Sequence, residues 1–279
     1  MWRFPIICSG GIGDSLLKLA RVPVAPWGRC GVRFNIFYDG KEHPAWQVLR
    51  DFFPAIKYCN LLSRPPKAAE YRMRNVFERI HENCQTLHAP PLPSNHSRLT
   101  LEKESRGILV QTHLDGHHGH AHLTAKVWSI DRWCDFFWRF QERGWGVDLL
   151  EWNDAAVDTI RERCPFIRDA RKFTLLETIQ SIREARCLVS VDSWTKYVAA
   201  WWKIPQVVIV PDLRNGYTPS FSGIPAPVVA SRWFRGLTDS PTTHIIGLEK
   251  INGNYSYTLN SISELEVAQL NDAVESICE

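Results

Sequence analysis

Apolar positions along the chain fall into two kinds of run. Short, largely apolar stretches at 5–8, 32–38, 56–62, 107–111, 146–151, 188–191 and 207–210 have the length of strands, and VVIV at 207–210 has the composition of one buried on both faces. Between them, residues 15–20, 68–85, 131–143, 154–163, 174–185, 195–202 and 262–277 carry apolar side chains at helical spacing. Strands alternating with helices predict an α/β fold built from parallel βαβ units.

Punctuation divides this series in two. Residues 87–98 hold prolines at 90, 91 and 93 and read as a linker, which predicts one domain over 1–100 and a second over 101–279. Charge splits at the same place. The first 100 residues hold 14 Lys+Arg against 7 Asp+Glu, and the remainder 19 against 23. A basic first part beside an acidic second part points to different partners, the first facing something anionic, unless the charge is simply a solvated surface.

The stretch 187–211, CLVSVDSWTKYVAAWWKIPQVVIVP, is the clearest βαβ unit. Asp192 and Ser193 follow the strand as expected helix-capping residues, and Pro205 breaks the helix ahead of the next strand. In an open parallel sheet this turn lies at the carboxyl end of the strand, where ligands bind, and free N–H groups at a helix start suit an anion. A second chemical feature is the glycine-rich turn Ser9-Gly10-Gly11-Ile12-Gly13-Asp14, which puts a carboxylate at the first turn of a helix. That carboxylate serves either as a base or as an ordinary helix-terminus charge.

Both stretches resemble glycosyltransferase family 9, the heptosyltransferase-like enzymes. Strand-Asp192-Ser193 followed by Ala199 is similar to the family's donor-site motif, with Trp194 where a Gly is usual and Tyr197 where a His is usual. GGIGDSLL at 10–17 is similar to its amino-terminal Gly-x-Gly-Asp motif, and Lys126-Val-Trp128 to the Lys-x-Trp segment before the first donor-domain helix. The resemblance covers residues 5–20 and roughly 107–211. It implies a GT-B fold, α/β with two Rossmann-like domains facing a central cleft, and an inverting, metal-independent sugar transfer. Asp14 is then the proposed base; Lys126, Trp128, Asp192, Ser193, Trp194, Thr195 and Lys196 meet the nucleotide-sugar donor; Gly11, Gly13, Arg72 and Arg74 meet the acceptor. His113, His118, Tyr197 and Arg214 are further candidates. No cofactor is implied, the nucleotide-diphosphate sugar being a co-substrate. The basic first domain implies an anionic acceptor, either a phosphorylated saccharide or glycan or, as the alternative, a modified base in phage-type DNA.

Other readings stay open. Gly11-x-Gly13 with Asp39 after a second strand suggests a dinucleotide fingerprint and an oxidoreductase, but Leu16 stands at the third glycine position. A non-catalytic nucleotide-binding relative is a third class. Five histidines between 113 and 122 invite a metal, yet their spacing is irregular and no Cys or Glu accompanies them, so no metal is expected; an imidazole lining a phosphate or acceptor pocket, or a solvated loop, is the alternative.

The 279 residues are 44% apolar and 23% charged, an ordinary soluble composition. No run approaches the roughly 18 apolar residues of a membrane span, and the first residues lack a signal peptide's apolar region, so the cytoplasm is expected. Eight scattered cysteines without a Cys-x-x-Cys pair read as reduced packing residues.

Overall fold

The computed structural model describes residues 3–8, 33–38, 59–62, 67–68, 107–113, 125–151, 153–170, 174–212, 234, 237, 240–252 and 254–279. The chain divides into two compact units, Met1–Ser97 and Arg98–Glu279. In the first, β1 (Arg3–Cys8), β2 (Arg33–Tyr38) and β3 (Cys59–Leu62) form a parallel sheet in chain order, with Arg3 opposite Arg33 and Phe34 opposite Cys59.

The second unit runs β4 (Ile108–Gln111), α1 (Ile130–Glu142), β5 (Val147–Leu150), α2 (Asp154–Arg163), β6 (Arg168–Asp169), α3 (Leu175–Glu184), β7 (Cys187–Val191), α4 (Thr195–Trp201), β8 (Gln206–Ile209) and β9 (Thr243–Ile246). Then come a hairpin of β10 (Leu248–Ile251) and β11 (Asn254–Tyr257), a 3₁₀ turn Ile262–Glu264 and α5 (Val267–Cys278). The first six strands make one parallel sheet in the order β6-β5-β4-β7-β8-β9. Chain order therefore reverses between β4 and β7, and the carboxyl ends of those two strands flank the switch point at which such sheets take ligands.

Local chemistry explains the boundaries. Ser129 accepts from Arg132 N to start α1, and Asn153 accepts from Ala156 N to start α2. Thr174 and Glu177 cap α3 reciprocally. Gly144, at φ 74°, ends α1 in the left-handed conformation that suits a residue without Cβ. The expected helix over 262–277 is instead a 3₁₀ turn followed by α5, with Leu265 and Glu266 extended between them.

Every second residue of the central strands joins one apolar cluster: Ile108 and Val110, Val147 and Leu149, Val189 and Val191, Val207 and Ile209. The cluster is closed by α1, α2 and α5, while α4 packs on β7 and β8. The α1 contribution is aromatic: Trp133, Phe136, Phe137 and Phe140 are all fully buried. Trp128 meets Trp133 edge-on at 4.8 Å, and its Nε1 donates to Leu265 O at 3.2 Å. Arg132 Nη1 donates to Ser263 O and Leu265 O, each at 2.7 Å, so the extended tail before α5 is pinned to the first turn of α1. At the sheet edge Arg168 Nε and Nη2 donate to Asp148 Oδ1 and Oδ2 at 2.5 and 2.8 Å across the β5–β6 pair. Cys134, Cys164, Cys187 and Cys278 are free thiols. Burial pushes the Cys164 thiol up to about 12 and also raises Cys134, which makes both packing groups rather than nucleophiles.

The backbone just before β4 is closely approached by its neighbour. A Cβ on Gly107 would stand 1.7 Å from Gly146 O, whereas one on Gly146 would meet nothing nearer than 3.8 Å. Gly107→Ala is therefore expected to cost at least about 3 kcal/mol, and Gly146→Ala under about 1 kcal/mol. Urea denaturation of the two variants checks this; equal losses would contradict the close approach.

Candidate functional site

The carboxyl ends of β4 and β7 carry Gln111, Thr112 and His113 on one side and Asp192 to Thr195 on the other. Thr195 Oγ1 donates to Gln111 Oε1, both side chains buried, and this bond ties the first residue of α4 to the end of β4. Asp192 continues β7, its backbone N–H donating to Ile209 O of β8 at 2.9 Å. Lys126 Nζ donates to Asp192 O at 2.9 Å and to Asp192 Oδ2 at 3.1 Å. The Lys196 ammonium donates to the other oxygen, Oδ1. All three side chains are less than a tenth exposed.

Burial on its own would raise the Asp192 pKa, but the Lys126 and Lys196 charges and their hydrogen bonds outweigh it and hold the carboxyl well below the usual carboxylate range. Asp192 is thus a permanently ionised anchor for two cations. This corrects the expected capping role. The N-cap of α4 is Trp194, in αR conformation with no side-chain cap bond, and the Asp192 carboxylate is spent on the lysines instead.

Lys196 is also turned inward. Its ammonium sits 4.4 Å from the Tyr197 ring centroid and 4.8 Å from that of Phe234, and its backbone oxygen accepts from Gln206 Nε2 at 3.1 Å. Tyr197 is 2% exposed, a core residue. Trp128, expected to face a donor, is 1% exposed and bonded to the tail; its indole is part of the core, where burying so large an apolar ring is most favourable. What Trp128 does for the site is indirect. It and the Ser261 Oγ bond to Ala125 O, at 3.5 Å, hold the two sides of Lys126.

A second polar pair next to the switch point was not among the residues singled out in the sequence. Thr112 Oγ1 donates to Glu151 Oε2 at 2.7 Å, and Asn153 N donates to Glu151 Oε1 at 3.1 Å. Glu151, fully buried, directly follows β5. The signal was present in the pattern, since a carboxylate closing an apolar strand run is out of place unless it has partners there.

Of the remaining candidates, Ser193 and Trp194 are half-buried beside Asp192, and His113 is half-buried after β4. Asp14, Gly11, Gly13, Arg72, Arg74, His118 and Arg214 lie outside the described residues. Among the described residues no group of three His, Cys, Asp or Glu is arranged to hold a metal, and no helix is long and apolar enough to cross a membrane.

No family model matches the chain, and no curated protein matches it. Solved structures do. E. coli ADP-heptose LPS heptosyltransferase II superposes with a TM-score of 0.60 at 12% identity, over 100% of this chain and 98% of that one. The chain has the GT-B fold of the family 9 glycosyltransferases. A glycosyl transferase family 9 protein from Veillonella parvula DSM 2008 matches with a TM-score of 0.55 at 13% identity, over 99% of this chain and 97% of that one. E. coli heptosyltransferase WaaC, solved with ADP, matches at 0.51 and 13%, over 99% of both chains; the same enzyme has also been solved with ADP-2-deoxy-2-fluoro heptose. The likeness is one of architecture, and the GT-B fold accounts for both the division into two units and the parallel sheet of the second.

Removing the anchor tests its weight. Asp192→Asn leaves two buried ammonium groups without their shared carboxylate and is expected to cost about 3–5 kcal/mol at pH 7. Because the folded-state pKa of Asp192 is depressed, its contribution is full above the ordinary value of about 3.9 and is lost only as pH falls through the folded-state value. The stability gap between wild type and variant should stay level from pH 7 to about 5 and narrow below about 4; a gap that closes near neutrality would contradict the assignment.

Proposed function

We propose that the protein is an inverting glycosyltransferase that moves a sugar from a nucleotide-diphosphate donor to a hydroxyl of an anionic acceptor. The observation that carries this reading is the Lys126–Asp192 pair at the switch point of the parallel sheet, a fixed cation where a sheet of this kind receives phosphates. The GT-B fold and the nucleotide-bound E. coli heptosyltransferase support it.

In this reading the second unit holds the donor. Lys126 shares its ammonium between Asp192 and the diphosphate, and stabilises the charge that grows on the phosphate oxygen as the bond to the sugar carbon breaks. Glu151 follows β5, the second strand of its unit in chain order, and its buried carboxylate braces the loop after β4 through Thr112. Asp14, placed by resemblance in the first unit, removes the proton of the acceptor hydroxyl as that oxygen attacks the sugar carbon from the face opposite the departing diphosphate, which inverts the carbon in one displacement. No covalent intermediate and no resident cofactor are called for. The acceptor is an anionic saccharide or glycan, in keeping with 14 Lys+Arg against 7 Asp+Glu in the first 100 residues.

A panel of nucleotide sugars and nucleoside diphosphates tests the reading by thermal shift, since a ligand bound only by the native state raises its melting temperature. At least one nucleoside diphosphate should do so, and Lys126→Ala should weaken it by about 10–100-fold in calorimetry. Asp14→Asn should leave that affinity nearly intact while slowing transfer by about 10²–10⁴. If no nucleotide stabilises the wild type, the proposed function falls.

A further inference from the structure

Two of the free thiols meet where α5 packs on the sheet. Cys187, the first residue of β7, is fully buried in the core cluster, while Cys278, the last of α5, is half-buried and packs against the same cluster. The two side chains hydrogen-bond each other, although 91 residues separate them in the chain. A cation completes the group. The Arg186 backbone N–H donates to Gly107 O at 3.1 Å, its guanidinium lies 4.1 Å from the centre of the Trp145 ring, and its side chain hydrogen-bonds Cys278. A charge and a second thiol thus bracket the more exposed member of the pair.

The surroundings give the two sulfurs different chemistry. The hydrogen bond with Cys187 lowers the Cys278 pKa, and Arg186 adds to this against burial and the Glu279 charge, so Cys278 leans towards the thiolate, the form that attacks. The same hydrogen bond and complete burial raise Cys187, which keeps its proton. Cys134 and Cys164 are an internal comparison. They too share a hydrogen bond, but both are fully buried and both are raised, which leaves neither of them a nucleophile that an oxidant can reach.

We propose that Cys187 and Cys278 form a site of reversible oxidation, at which a peroxide joins the end of α5 to the start of β7 by a disulfide. The Cys278 thiolate attacks one peroxide oxygen; the O–O bond breaks, and the hydroxide released takes up a proton as water, leaving a sulfenic acid on Cys278. Cys187 then attacks that sulfur. The S–S bond forms, the S–OH bond breaks, and the second hydroxide leaves with the Cys187 proton as water. Two thiols are oxidised and one peroxide is reduced to two waters. The new bond fastens α5, which helps to close the core, and so resists opening of the second unit; a thiol reductant restores the free pair. The donor site plays no part in this, because Arg186 and Cys187 stand at the amino end of β7 and Asp192 follows its carboxyl end.

The experiment treats the reduced full chain with hydrogen peroxide near neutral pH and maps its disulfides by mass spectrometry of unreduced peptides. A Cys187–Cys278 bond should form at least about tenfold faster than any Cys134–Cys164 bond. It should also raise the melting temperature by about 5 °C or more, a rise that dithiothreitol reverses. Cys278→Ser should abolish both the bond and the rise. In Cys187→Ala a 1,3-diketone such as dimedone should label Cys278, whose sulfenic acid then lacks its partner. Arg186→Gln, which removes the charge beside Cys278, should slow formation of the bond by about threefold or more. The first comparison uses the wild-type chain and so holds even where a variant does not fold. Cys278 left unmodified, bonded to another cysteine, oxidised past the sulfenic acid without a bond, or joined to Cys187 no faster than Cys134 joins Cys164 overturns the site. A Cys187–Cys278 bond that leaves the melting temperature unchanged overturns the fastening of α5.

Discussion

One buried carboxylate sets the electrostatics of the second unit's carboxyl edge. Asp192 stands at the end of β7, next to β4, in a place where a lone ion would be expelled or neutralised. It stays ionised because two ammonium groups reach it from different parts of the chain, Lys126 from the segment before α1 and Lys196 from α4. The carboxylate is tolerable in the interior because of the two ammonium groups. The cluster therefore links the loop after β4, the end of β7 and the first turn of α4 in one unit, and the Thr195–Gln111 bond runs beside it.

The position of Lys126 is in turn a product of core packing some distance away. Two residues along the chain, Trp128 is clamped between Trp133 and the carbonyl of Leu265. Arg132 reaches the same carbonyl and that of Ser263, and Ser261 bonds to Ala125. The tail before α5 thus frames the lysine on both sides. A segment more than 130 residues away in sequence orients the cation, so mutations in the tail would reach the site through geometry without touching a ligand.

The fold itself is shared by proteins that differ in almost nine residues of every ten, since the matching structures are 12–13% identical to this chain. What persists at that distance is the alternation of buried strands and covering helices, which many side chains satisfy. The site residues are a separate matter. In the turn after β7, Trp194 stands at the N-cap without a side-chain bond and Tyr197 is buried against Lys196.

Much of the second unit was determined by its sequence alone. Short apolar runs at 108–111, 188–191 and 207–210, the last wholly β-branched, suit buried parallel strands, and caps at Ser129, Asn153 and Thr174 place the helix starts to within a residue, because capping is a local hydrogen bond between neighbours in the chain. The resemblance to family 9 was likewise legible in short motifs, and the fold agrees with it. Tertiary structure decided the rest. Whether the Asp192 carboxylate would cap α4 or bind lysines depended on Lys126, 66 residues earlier, and an ion pair across that separation leaves no mark in local pattern. The inward turn of Lys196 depended on Phe234, and the engagement of Glu151 on Thr112, 39 residues before it. Trp128 read as a donor contact from its motif but is core, since an indole can serve either purpose and only the presence of Leu265 O and Trp133 beside it selects one. Local elements follow from short-range propensity and hydrogen bonding; charges, by contrast, take their roles from whatever the folded chain brings within a few ångströms.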